Sequence, residues 1–400
     1  MATAHSTTAP IRVARIITRL NVGGPAIQAV EMSARLEAAG YHTLLIHGRL
    51  AAGEGDMRYL VPPDPAFEVA AVRALRREVA PVADAAAVAR VFGALCRFRP
   101  RIVHTHTAKA GTVGRIAALL YNATAGRRAP ARLVHTYHGH SLEGYFASPA
   151  ARTFAAIERA LARRTDAIVA VSALLRDNLR RDHAIDAARF PVVPLGFDLS
   201  RFAAVDDGAR ATARRGLGID RDAHVVAFVG RLTAIKQPRA FVDIAARLLA
   251  GDPRLQVLVA GGGDLEAEMR RAADAAGLGP RIRFLGWVRD LVPVYAASDL
   301  LAMTSRNEGT PVALIESLAS GVTAVAFAVG GVPDVLTAAD LGVLVAPDDV
   351  DAFVAAAAAL LADPDRRAVM GARARASMLD RYGIDRLVRD LDALYRDLVG

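Results

Sequence analysis

Short apolar runs that each close on a glycine or histidine turn recur along this chain, and few folds accommodate them. Ile11 to Thr18, Tyr41 to His47, Phe67 to Val72, Arg101 to His106, Arg132 to Tyr137 and Ala167 to Val171 alternate with helical patterns at Ala26 to Ala39, Asp84 to Phe98, Lys109 to Tyr121 and Pro149 to Arg164. A run too short for a helix and apolar at nearly every position reads as a strand buried on both faces. Strands alternating with helices define a doubly wound α/β sheet, mostly parallel. A second series begins at Val225 to Val229 and continues through Leu255 to Ala260, Arg283 to Val288, Leu300 to Met303 and Ala324 to Ala328. Two series imply two domains, and 400 residues suffice for two of about 200 each.

The join falls in Phe190 to Asp198, which carries Pro191 and Pro194 and precedes a polar stretch, Ala203 to Gly218, with few core residues. The expected division is residues 1–196, 197–380 and a closing stretch 381–400 that contains an amphipathic helix, Asp385 to Leu398.

Composition narrows the class. Hydrophobic residues make up 53%, mostly Ala, Leu and Val, with aromatics at 6%. No stretch of about 18 apolar residues is free of charge, so no membrane span is expected. The Ser/Thr-rich start, Met1 to Pro10, has neither a signal-peptide pattern nor a lipidation motif, so the protein is expected in the cytosol. The single cysteine, Cys96, falls in an apolar pattern and is expected to be a buried core thiol; Asn122-Ala123-Thr124 is a chance glycosylation match in a reducing compartment. The net charge of +9 comes largely from Arg pairs spread along helices, such as Arg163-Arg164 and Arg214-Arg215. No nucleic-acid motif accompanies it, so the partner it suits is an anionic membrane surface or an anionic substrate.

Ligands of a doubly wound sheet bind at the carboxyl ends of its strands. The richest such segment is Asp299 to Asp334: a buried strand, then Ser305-Arg306-Asn307-Glu308-Gly309-Thr310-Pro311, a helix carrying Glu316, then Ser320-Gly321, a second strand and Gly330-Gly331-Val332-Pro333. A helix starting at Gly309, with proline near its first position, offers unpaired N–H groups and partial positive charge, suited to a phosphate or a polar sugar ring. Glu316, eight residues after Glu308, is expected about two turns down, so the two carboxylates can touch different parts of one extended ligand, such as a nucleotide sugar. Arg231 and Lys236 lie on one loop after Gly230 and can reach a single diphosphate, Arg as a fork of donors and Lys as a mobile charge.

In the first half, Asn21-Val22-Gly23-Gly24-Pro25 lets backbone approach a ligand or simply makes a tight turn; it is not Gly-x-Gly-x-x-Gly. His104, His106 and His138 sit at strand ends, with His140 beyond and a loop at Glu143 to Phe146; His104, His106 and His140 either contact an acceptor or are structural. His-x-His is also a metal pattern, but no Cys or acid stands near at ligand spacing, so no metal is expected. Lys109, at a helix start, either binds an acceptor anion or is solvated. Trp287 is either a ligand contact or a core anchor, and Asp363-Pro364-Asp365 reads as a helix cap.

The spacing of Glu308 and Glu316, followed by Ser320-Gly321 and Gly330-Gly331-Val332-Pro333, resembles the donor signature of the retaining glycosyltransferases of family four, also called group 1 glycosyltransferases. Gly230-Arg231 with Lys236, and the strings Val103 to Thr107 and Thr136 to His140, resemble further motifs of that family across the whole chain. The resemblance implies a GT-B fold, with two Rossmann-like domains facing a cleft and the last helix crossing back onto the first. It implies transfer of a hexose from UDP- or GDP-sugar to a sugar, lipid-linked or small-molecule acceptor in polysaccharide, glycolipid or glycoconjugate synthesis, with no cofactor or metal. It gives Glu308 to the hexose, Glu316 to the ribose, and Arg231 and Lys236 to the diphosphate. It also gives Trp287 and Val288 to the base, Gly23 and Gly24 to phosphate or acceptor, and His138 to the sugar, by hydrogen bonding or proton handling. A nucleotide-sugar epimerase of the same fold and a non-catalytic binder of nucleotides or polyanions remain alternatives, separable by whether nucleoside diphosphate is released and whether that needs an acceptor.

Overall fold

The computed structural model describes residues 9–51, 54–139 and 149–400. The chain divides into two compact units: one runs to Phe197 and includes Asp385–Gly400, and the other is Asp198–Ile384.

The first unit holds β1 (Ile11–Ile17), β2 (Tyr41–His47), β3 (Glu68–Ala71), β4 (Ile102–His106), β5 (Arg132–Tyr137) and β6 (Ala167–Ala170), ordered β3-β2-β1-β4-β5-β6. The second holds β7 (His224–Val229), β8 (Leu255–Ala260), β9 (Ile282–Gly286), β10 (Leu300–Met303), β11 (Ala324–Phe327) and β12 (Val343–Val345), ordered β12-β11-β10-β7-β8-β9. Every pairing between these strands is parallel. The two orders are equivalent: each sheet grows one way from its first strand, then reverses and grows the other way. The reversal lies between β1 and β4 in one unit and between β7 and β10 in the other, and there the loops splay and leave room for a ligand.

Strands such as β6, β10 and β11 are buried at every residue, whereas the edge strand β3 is largely exposed. Helices cover both faces of a central strand, so a polar residue on it is costly without a partner. Phe241, fully buried on the helix Pro238–Gly251, packs on Phe228 of β7 with ring centroids 5.0 Å apart. Burying such a ring contributes about 1.5–3 kcal/mol.

Several expectations change in detail. The polar stretch after the join contains a helix, Asp207–Gly216, capped by Asp206, whose Arg214 is buried and donates to Asp299 Oδ2 at 2.8 Å and to the carbonyl of Ala297 at 3.1 Å. It read as loose because its core contact is a guanidinium rather than an apolar side chain. The helix Ala173–His183 is charged enough to hide its apolar stripe, and β12, three residues long, is too short to show a period. Cys96 is only partly buried and packs against the rim of the core. Asn122 holds the backbone of Ala131 through two 2.8 Å bonds, a structural role. Asp363 caps the helix Pro364–Tyr382, accepting from the amide of Arg366 at 2.9 Å.

Candidate active site

In the second unit the predicted residues gather at the carboxyl edge, around the reversal point. Lys236 follows β7 and Glu308 follows β10, and the two form an ion pair. Their side chains retain 18% and 10% exposure, so the pair is reachable from solvent without being freely hydrated. Glu308 Oε1 also accepts from Ser305 Oγ at 2.6 Å. The stem of Lys236 lies over Gly230, where an added Cβ would stand 3.6 Å from Lys236 Cε. Arg231 is exposed on the same loop, with no side-chain partner among the described residues.

The glycine turns fix these loops. Gly330 has φ +49°, and a Cβ there would strike the carbonyl of Glu308; a Cβ on Gly331 would strike that of Gly309. The Gly331 amide donates to the Glu308 carbonyl at 2.9 Å, so the turn after β11 braces the loop after β10. Gly261, at φ +141°, lies against the Gly230 carbonyl in the same way and ties the turns after β7 and β8 together. These contacts explain why glycine recurs at strand ends here: backbone must touch backbone.

Two expectations are corrected. The helix bearing Glu316 is Val312–Ala319, with Pro311 as its N-cap. Gly309 and Thr310 therefore belong to the loop rather than to the first turn, and Glu316 stands little more than one turn into the helix, because the helix starts only after the proline. Glu316 Oε2 accepts from the hydroxyl of the buried Tyr295 at 3.0 Å. Burial and the neighbouring carboxylate hold that phenol well above its usual range, so it remains a donor. Trp287 is 50% exposed and lies over Gly262, which excludes it as a core anchor; Val288 beside it is half-buried.

In the first unit, Gly23 and Gly24 open the helix Gly24–Ala38 after β1. Thr18, beyond β1, meets Thr107, beyond β4, at 2.6 Å and accepts from the Ala110 amide at 3.1 Å. Thr107 has φ 68°, an uncommon backbone for a threonine, at the reversal point of this sheet. Lys109 is engaged in an ion pair with Asp84, and His140 and the loop Glu143 to Phe146 lie outside the described residues.

His104 and His106 are buried with rings stacked 4.3 Å apart. His104 bonds Tyr395 Oη at 2.5 Å and Thr136 Oγ1 at 2.7 Å; His106 bonds Arg15 Nη1 at 3.0 Å and His138 Nε2 at 2.9 Å. With both nitrogens of each ring engaged, and a guanidinium on one of them, the pair is not a metal site. Arg15 and Tyr395 escaped the reading of motifs. The signal was an arginine inside a strand otherwise buried on both faces, which needs a partner.

Burial, then the charge of Arg15, pushes His138 down to about 3, and burial likewise drives His104, His106 and His135 well below the usual range. The unfolded chain then binds more protons than the folded one between about pH 3 and pH 6.5, so stability is full above about pH 6.5 and falls as pH drops. Denaturant melts across that window should show the loss, with a shallower slope in His138→Gln.

A two-unit molecule with a doubly wound parallel sheet in each unit and loops converging at the reversal points has the GT-B architecture of glycosyltransferases. Residues 209–377 match the family described as glycosyl transferases group 1, and residues 22–201 match glycosyltransferase family 4. A curated relative, D-inositol 3-phosphate glycosyltransferase of Geodermatophilus obscurus, is 33% identical over 94% of this chain and 85% of its own. UDP-Gal:α-D-GlcNAc-diphosphoundecaprenol α-1,3-galactosyltransferase of Escherichia coli is 26% identical over 82% of this chain and 83% of its own. The Anabaena protein HepE, solved with UDP-glucose, superposes with a TM-score of 0.80 at 19% identity, covering 97% of this chain and 100% of that one. The chain belongs to the group 1 glycosyltransferases of family four, and it is a glycosyltransferase.

Proposed function

We propose that the protein is a retaining hexosyltransferase that takes its sugar from a nucleoside diphosphate donor, UDP in preference to GDP, without a metal ion. The observation that carries this reading is the Lys236–Glu308 pair at the reversal point of the second sheet, with Arg231 exposed on the same loop. A leaving diphosphate needs positive charge; Arg231, Lys236 and the Gly309 and Thr310 amides supply it, and a water-poor site strengthens each contact. Glu308 is assigned to the hexose, Glu316 to the ribose, and Trp287 and Val288 to the base. The second unit is then the donor domain. The first, with His138, Gly23 and Gly24, receives the acceptor, while His104, His106 and Lys109 hold its framework.

UDP as donor is supported by the names of the Escherichia coli galactosyltransferase and of the Anabaena complex with UDP-glucose. A phosphate-bearing or lipid-linked acceptor is supported by the curated relatives' names and by the +9 charge, and the role proposed with it is glycolipid, polysaccharide or glycoconjugate synthesis beside an anionic membrane surface. Among the described residues no helix is long and apolar enough to span one.

The test is UDP and GDP release from a panel of nucleotide sugars, with and without acceptors that include an inositol phosphate and a diphosphopolyprenol-linked sugar. Acceptor-dependent UDP release, unchanged by EDTA and giving a product with the donor's anomeric configuration, is the expected result. Inversion would overturn the retaining reading. Loss of turnover in EDTA with recovery on Mg²⁺ or Mn²⁺ would overturn metal independence, and sugar interconversion without acceptor would point to an epimerase.

A further inference from the structure

His104, His106 and His138 of the first unit have proton positions that follow from one residue. Arg15 of β1 is wholly buried; its Nη1 meets His106 Nε2 at 3.0 Å and its Nη2 donates to Tyr395 Oη at 3.2 Å. A guanidinium has donors and no acceptor, so His106 Nε2 must carry a lone pair. The proton of neutral His106 is then on Nδ1, which donates to His138 Nε2 at 2.9 Å. His138 Nε2 is thus an acceptor, and its own proton is on Nδ1. That Nδ1 is buried and has no partner among the described residues. The same guanidinium sets His104 the opposite way: Tyr395, accepting from Arg15, donates to His104 Nδ1 at 2.5 Å, so the His104 proton is on Nε2, facing Thr136 Oγ1 at 2.7 Å.

We propose that Arg15 is a positioning residue that locks His138 as its Nδ1–H tautomer, so that His138 meets its ligand as a neutral hydrogen-bond donor and not as a base. The only lone pair on the His138 ring is taken by His106. Taking up a proton at Nε2 would need His106 to accept at both nitrogens, which only an imidazolate can do. The group His138 recognises is therefore an oxygen with a free lone pair, such as a sugar hydroxyl or a carbonyl. The low proton affinity of His138 follows from the same burial and the same arginine. Tyr395, on the closing helix Ile384–Val399, helps hold Arg15 in place. This inference rests on the assignment of His138 to the ligand-facing set; the tautomer itself is readable without any ligand.

The experiment is a long-range ¹H–¹⁵N correlation spectrum of the full chain labelled at histidine nitrogen, with His138 assigned from its missing signal in His138→Asn. Wild type should show His138 and His106 as Nδ1–H and His104 as Nε2–H, unchanged between about pH 5 and 8. Arg15→Met, checked for folding by circular dichroism, should release His138 to the other tautomer and lower kcat by roughly tenfold or more, with a smaller change in donor KM. Arg15→Lys, again a donor without an acceptor, should restore both. His138→Asn, which keeps an N–H near the Nδ1 position, should outperform His138→Ala. An Nε2–H His138 in wild type, or a folded Arg15→Met variant with the wild-type tautomer, would overturn the proposal. Tautomer release in Arg15→Met together with wild-type transfer by His138→Ala would uphold the lock and overturn only the assignment of His138 to the ligand.

Discussion

Glu308→Gln and Lys236→Ala each fold as the wild type does and lose transfer by about a hundredfold or more. Folding survives because the loops are held by backbone: the Gly331 amide on the Glu308 carbonyl at 2.9 Å, Leu232 on Gly262 at 3.0 Å and the Arg306 amide on Ile235 at 2.8 Å. Both side chains stand on loops after β7 and β10 and not in core strands, so replacing either leaves the packed sheet intact. Transfer is lost because Lys236 is a cation assigned to the diphosphate, and Glu308, assigned to the hexose, also pairs with its ammonium. Removing one preorganised charge at a developing charge costs ~3 kcal/mol, near a hundredfold in rate. Steady-state kinetics with the correct donor, beside a thermal melt of each variant, separate the two effects. Turnover like that of wild type in either variant would remove that residue from the active site.

The largest effect on stability is expected at Glu158, on the helix Pro149–Ala162. Its carboxylate accepts from Arg115 Nη2 at 2.7 and 2.6 Å, from Thr112 Oγ1 at 3.1 Å and from Tyr137 Oη at 2.7 Å, and both charged side chains are buried, at 1% and 0% exposure. Glu158→Ala should destabilise the first unit by about 3–5 kcal/mol, because it leaves a guanidinium in the core with its counter-charge gone. The double variant Arg115→Met/Glu158→Leu should recover most of that loss, since an apolar pair of similar volume carries no desolvation cost. The chain has two units and need not unfold in one step, so the measurement is hydrogen exchange of amides in β4 and β5 rather than a single melt. A loss below about 1 kcal/mol would show that water reaches Arg115.

The two sheets were legible in the sequence to within a residue or two per strand. Short, wholly apolar runs have few alternatives, and Tyr41–His47, Arg132–Tyr137, Leu255–Ala260 and Leu300–Met303 coincide with the observed strands. The loop chemistry was equally local: Gly230, Arg231 and Lys236 on the turn after β7, and Glu308 on the turn after β10. The short strand β12 and the charged helix Ala173–His183 were missed because a segment shows a period only when it is long enough and apolar enough to display one.

What local pattern determines is the kind of element and the chemistry each turn carries, because both depend on neighbours in sequence. Which turns meet was decided only by the tertiary structure. Lys236 and Glu308 are 72 residues apart and pair because β7 and β10 lie side by side; Arg15 and Tyr395 are 380 apart and meet because the closing helix packs on the first unit. Strand order and helix docking follow from burying one common core, a property of the whole chain that no single window of residues encodes. The tautomer of His138 is the furthest consequence of that kind: it is set by a proton donor that the sequence places 91 positions before His106 and the fold places 3.0 Å from it.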